Sequence, residues 1–135
     1  MLNILALFAV AILLGGMIFF AAVMAPLVFT RLPAQQSGSF IRAVFPVYYL
    51  YVLCGSLVAA LTLAPRWEAA GMAGVALLTV WLRQWLMPRI NTASDAARAG
   101  DVRAQKWFDR SHRFSVIVNF LQIVVVGVVL ARFVA

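Results

Sequence analysis

The stretch LLTVWLRQWLMPRI, residues 77–90, decides how many times this chain crosses an apolar medium. It begins as a run suited to a bilayer, then carries Arg83 and Gln84 before reaching Pro88. Arg83 lies about a turn and a half from the proline, close enough for its guanidinium to snorkel outward to water. We therefore read residues 68–87 as a membrane span. Pro88 is expected to end it, because a proline ring removes a helix hydrogen bond and clashes with the preceding turn.

Outward from this segment lie three uncharged runs, Leu2 to Phe29, Ala43 to Ala64 and Phe114 to Ala131. Each is near or above the ~20 residues that cross a hydrocarbon core at ~1.5 Å per residue. The spans expected are about 2–29, 43–64, 68–87 and 111–134, forming one domain over residues 1–135. The fold class is all-α: a polytopic membrane protein built as a four-transmembrane-helix bundle. Its composition agrees, since 65% of residues are hydrophobic and 11% charged, against roughly a quarter charged in a soluble domain.

The formal charge of +7 invites a nucleic-acid reading, but the basic residues lie between apolar runs rather than in one patch. With four spans, Arg31, Arg42, Arg89, Arg98, Arg103, Lys106, Arg110 and Arg113 share one side, and Arg66 and Arg132 the other. The positive-inside rule puts the loops Thr30–Arg42 and Pro88–Arg113 in the cytoplasm, with both termini and the Pro65–Glu68 turn outside. Trp67, Trp85 and Trp107 fall at the expected interfaces. The first thirty residues bear no charged side chain and lack the basic start of a signal peptide, so they are expected to remain as a helix.

Small residues recur at helical spacing: Ala11, Gly15 and Ala22, then Gly55 and Ala59, then Ala70 and Gly74. Such stripes let membrane helices approach closely. Cys54 lies alone in an apolar run and is read as packing, as are Met17 and Met24.

The second informative stretch is KWFDRSHRFSVIVN, residues 106–119, which holds the single histidine. Before it, Thr92 followed by Asp95 resembles an N-cap with an acid at the third helical position, so a short amphipathic cytoplasmic helix is expected, ending at Gly100. From Asp101 the chain is expected to run as one helix into the last span. On that helix Arg103, Lys106, Arg110 and Arg113 share one arc, suited to anionic lipid headgroups and to setting topology. His112, Ser115, Asn119 and Gln122 share another, extended by Gln105. An unpaired amide deep in a span is costly, so Asn119 and Gln122 must face the bundle. They either fix helix packing or, with Tyr48 or Tyr49, line a small polar cleft.

Several chemistries lack their residues. There is no HxxxH or CxxC spacing and no ligand cluster around His112, so no metal site is expected, and one histidine cannot supply bis-histidine haem ligation. His112 and Ser115 stand at i and i+3 without an oxyanion device or a suitably placed acid. Glycine-rich phosphate loops are absent.

FTRLP, FIRAVFPVYY, WLMPRIN and WFDRSHRFSVIVN occur in this order along nearly the whole chain. In this the sequence resembles the small four-span membrane proteins akin to transmembrane protein 205, whose bacterial members carry a domain of unknown function. The resemblance rests on Phe29, Leu32, Pro33, Phe45, Pro46, Tyr48, Pro88, Arg89, His112, Ser115 and Asn119. It implies a four-helix membrane fold; eukaryotic relatives are associated with resistance to platinum drugs.

The resulting expectation is a non-enzymatic inner-membrane protein that binds a ligand or lipid, or serves as a scaffold in a membrane complex. Arg89, His112, Ser115, Asn119 and Tyr48 are the candidate ligand-binding residues, around a cytoplasm-facing pocket for an anionic or polar group. No catalytic residue, metal or cofactor is assigned. Membrane lipids and other membrane subunits are the expected partners, and nucleic acid is not. A small-molecule, metal or drug carrier is the alternative, followed by an oxidoreductase using haem or quinone at an interface. Transport is disfavoured by IVVVGVVLA, residues 123–131, which offers no polar path.

Overall fold

The computed structural model describes residues 2–64 and 66–135, and all regular secondary structure among them is helical. The first rod is α1 (Leu2–Phe19), a π-helical turn (Phe20–Met24) and α2 (Ala25–Arg31) in direct succession. The second is α3 (Ala34–Leu63). A third runs through α4 (Trp67–Trp81), a π-helical turn (Leu82–Leu86) and α5 (Met87–Arg98), and α6 (Val102–Ala131) is the fourth. The expected turn between the second and third rods includes Pro65, which lies outside the described residues.

Prolines shape these rods, though not all as breakers. Leu32 is extended at φ −103° and ψ 145°, as a residue before proline prefers, and Pro33 then starts α3. The expected first loop, Thr30–Arg42, thus shrinks to Leu32 and Pro33, and Arg42 rides on α3. Pro88 does not end the third rod as expected. Its ring would strike the carbonyl four residues back, that of Gln84, which lies in the π turn Leu82–Leu86. There the Met87 N–H reaches back five residues to Leu82, which moves the carbonyl register aside. Pro26 repeats the arrangement: Ala22 lies in the π turn Phe20–Met24, and the Ala25 N–H reaches Phe20.

Because the rod continues, Thr92 is not an N-cap; its hydroxyl donates to the Pro88 carbonyl at 3.0 Å within the helix. The expected separate amphipathic helix is the far end of the third rod. Gly100 does end it, at φ +98°, where the Asp101 N–H reaches the Ala96 carbonyl. Asp101 then caps α6 through bonds from the N–H groups of Arg103 and Ala104. The α5–α6 hairpin brings the residues around Arg98 back beside those around Phe108.

The core sits between α1, α3, α4 and α6, with Val10, Met17, Ala59, Met72 and Val126 fully buried. Met17 packs as expected and Met24 is partly buried against the same cluster. Close approach uses Gly55, as expected, and Gly16, one step from the expected Gly15. A Cβ on Gly16 would collide with Tyr51, and one on Gly55 would come within 2.9 Å of Leu13. Gly15 and Gly74 face open space, and Ala22 and Ala70 are exposed. Cys54 is exposed rather than packed.

Large apolar side chains cover the outside, among them Leu61 at 78% exposure and Leu77 at 73%. Contiguous apolar surface of this kind marks an interaction surface rather than one facing water. Three helical stretches are long and apolar enough to cross a membrane: Asn3–Arg31, Ala34–Leu63 and Val102–Ala131.

Candidate ligand-binding cleft

The polar arc expected on α6 divides between two neighbours. Gln122, 3% exposed, donates to the Thr79 hydroxyl at 2.9 Å and to the Val75 carbonyl at 3.3 Å, tying α6 to α4. Asn119 turns to α3, accepting a hydrogen bond from the Tyr48 hydroxyl at 2.6 Å. Tyr48 is held by stacking on Phe20, with ring centroids 4.1 Å apart, and Phe20 begins the first π turn. Tyr48 therefore orients Asn119 from within the core, and its neighbour Tyr49 lines a cavity.

Below Asn119 two cavities of about 130 and 140 Å³ share Phe29, Ile41, Phe45, His112 and Ser115 as walls. They adjoin along these shared walls as two lobes whose remaining linings differ. The apolar lobe, between the first rod, α3 and α6, runs past Phe20, Ala21, Ala25 and Val116 to Asn119. The polar lobe, between α3, α5 and α6, is bordered by Arg42, Asn91, Ser94 and Arg98. His112, half-buried and stacked on Phe108 at 5.7 Å, stands at their junction. The Ser115 hydroxyl donates to the His112 carbonyl at 2.7 Å, so toward the cleft it offers lone pairs.

Charge concentrates at the polar lobe. Arg42 makes a forked ion pair with Asp95, at 2.8 and 3.2 Å, and also donates to the Asn91 carbonyl at 3.1 Å. The hydrogen bonds and charge of Arg42, with the charge of Arg98, hold the Asp95 carboxyl below its ordinary range. The Arg98 guanidinium reaches across to α3 over Gly38, where a Cβ would lie 2.6 Å from it. Two guanidiniums against one carboxylate leave one positive charge uncompensated.

Arg89 is not part of this site. It lies 3.5 Å over the Trp85 ring, on a ladder continued by the Trp81–Trp85 stack at 5.1 Å, and is exposed. Arg42 and Arg98 take the place expected for it. Spacing contained the signal: Met87, Ile90, Asn91, Ser94 and Arg98 share one helical face once Pro88 is read as continuing the rod. Arg103, Lys106, Arg110 and Arg113, the set expected to meet lipid headgroups, are exposed on α6.

No curated protein and no solved structure matches this sequence. A family described as a domain of unknown function, DUF4149, matches residues 8–99, which contain Tyr48, Arg42, Asp95 and Arg98 and stop short of α6. With most of its length within that match, the chain belongs to the DUF4149 family.

Proposed function

We propose that this protein is a four-span inner-membrane protein that binds an anionic ligand in the polar lobe, in a binding rather than catalytic role. The observation that carries the reading is the uncompensated charge of the Arg42–Asp95–Arg98 cluster at the mouth of a cavity also bordered by Asn91, Ser94 and His112. Arg98 is exposed, so its guanidinium can meet an anion that arrives from water. Guanidinium groups suit carboxylate and phosphate oxygens in particular.

In this reading the third rod supplies the third of four spans, and both termini lie outside. The Trp81–Trp85–Arg89 ladder fits the membrane interface at its cytoplasmic end. The motifs shared with proteins resembling transmembrane protein 205 gather at this end: Phe29, Phe45 and His112 line the cleft, and Pro33, Pro46 and Pro88 shape its helices. Binding is favoured over transport because α6 is apolar beyond the Gln122–Thr79 bond, with Val126 and Val129 0% and 1% exposed.

The test is calorimetric titration of inorganic phosphate and acetate into the protein in neutral-lipid nanodiscs. Saturable binding that weakens at least tenfold in Arg98→Gln and Arg42→Gln supports the proposal. No saturable binding of any anion, or equal binding by both variants, overturns it.

A further inference from the structure

We infer that the ligand is a single-tailed anionic amphiphile, a long-chain carboxylate or phosphate monoester, whose head occupies the polar lobe and whose tail occupies the apolar one. The inference rests on the proposed anion site and extends it by using the second cavity. The lobes share His112 and Ser115 as walls, so the proposed ligand passes from one to the other beside these two side chains. Their contents are complementary to the two ends of an amphiphile. The head lobe has the extra positive charge and the polar groups of Asn91 and Ser94. The tail lobe presents aromatic and aliphatic walls, and its polar members, His112, Ser115 and Asn119, are confined to the side of α6.

The tail lobe also lies at the outer surface of the bundle. Val116, one of its walls, is 55% exposed, and Ala21 beside it on the first π turn is exposed as well. Small side chains at Ala21 and Ala25 leave a gap between the first rod and α6. In a bilayer that gap opens onto acyl chains, while the head lobe opens near the charged α5–α6 hairpin. Such a ligand enters sideways from the leaflet, and its tail never leaves apolar surroundings. The head exchanges headgroup hydration for Arg98 and, in competition with Asp95, for Arg42.

Binding of oleate, oleoyl lysophosphatidate, oleyl alcohol and inorganic phosphate, measured by native mass spectrometry from phosphatidylcholine nanodiscs, separates the parts. We expect oleate or the lysophosphatidate to bind at least tenfold tighter than both oleyl alcohol and phosphate; which of the two is preferred identifies the head. Val116→Trp, at an exposed position, should abolish that tail-dependent gain and leave phosphate binding unchanged, and Ala21→Trp should do the same. Phosphate binding as tight as oleate, or amphiphile binding indifferent to both tryptophans, overturns the inference while the anion site stands. Oleyl alcohol binding as tightly as oleate, together with no phosphate binding, overturns both.

Discussion

At the scale of single residues, Asn119 and Gly38 carry the site in different ways. Asn119 accepts from buried Tyr48, so Asn119→Leu strands a hydroxyl in the core, whereas Asn119→Leu with Tyr48→Phe removes both partners. We expect the single variant to lose about 1 kcal/mol, in keeping with polar pairs between membrane helices, and the double variant to recover most of it. Thermal denaturation of the four proteins of this cycle in one detergent measures the difference. Gly38→Ala meets only the mobile end of Arg98, so the fold should keep its melting temperature. Anion affinity should fall several-fold as the guanidinium is displaced, which calorimetry would show. The sequence displayed His112, Ser115 and Asn119 as an arc, but Gln122 belongs elsewhere because its partners, Thr79 and Val75, come from a distant rod. Arg42 and Arg98 were visible as charges and not as a site, since their convergence depends on how α3 and α5 meet.

At the scale of elements, the apolar runs, the Gly100 stop and the unbroken α6 were legible because local chemistry dictates each of them. The third rod was misjudged at Pro88 because a proline signals a break only where the preceding turn is an ordinary α turn. The glycine stripes were legible in kind: Gly55 keeps the expected register, and on the first helix Gly16 replaces Gly15. Gly16→Ala drives a methyl into the Tyr51 ring on a packed helix face, so a loss of about 1–3 kcal/mol is expected. Gly15→Ala, facing open space, should leave stability unchanged or slightly raised. Parallel melts of the two variants check this. The Arg42–Asp95 pair joins α3 to α5, and its pH dependence follows from the depressed Asp95 carboxyl. Its contribution is present above the usual carboxylate pKa of ~3.9 and is lost as pH falls through the lower folded value. Amide exchange in α5 should quicken below that range in the parent protein, and Asp95→Asn should remove the step.

At the scale of the whole molecule, the decisive question is whether the third rod crosses the bilayer beside the three helices already apolar enough to do so. Four crossings place the Leu32–Pro33 break and the Gly100 turn on one side; three place them on opposite sides. In a Cys54→Ala background, Gln36→Cys and Ala99→Cys should both react with an impermeant maleimide from the cytoplasmic face, and Ala135→Cys from the other. Labelling of positions 36 and 99 from opposite faces would remove the fourth span. The two π turns have a further consequence, for how this chain tolerates changes in length. Deleting one residue from an α-helix turns everything beyond it by about 100° and misaligns its buried face. Phe20–Met24 and Leu82–Leu86 each already hold a surplus residue, so the loss of Val23 with Pro26→Ala, or of Gln84 with Pro88→Ala, would leave both flanking faces in register. Shortening should be survivable at these two places and ruinous elsewhere in the same rods.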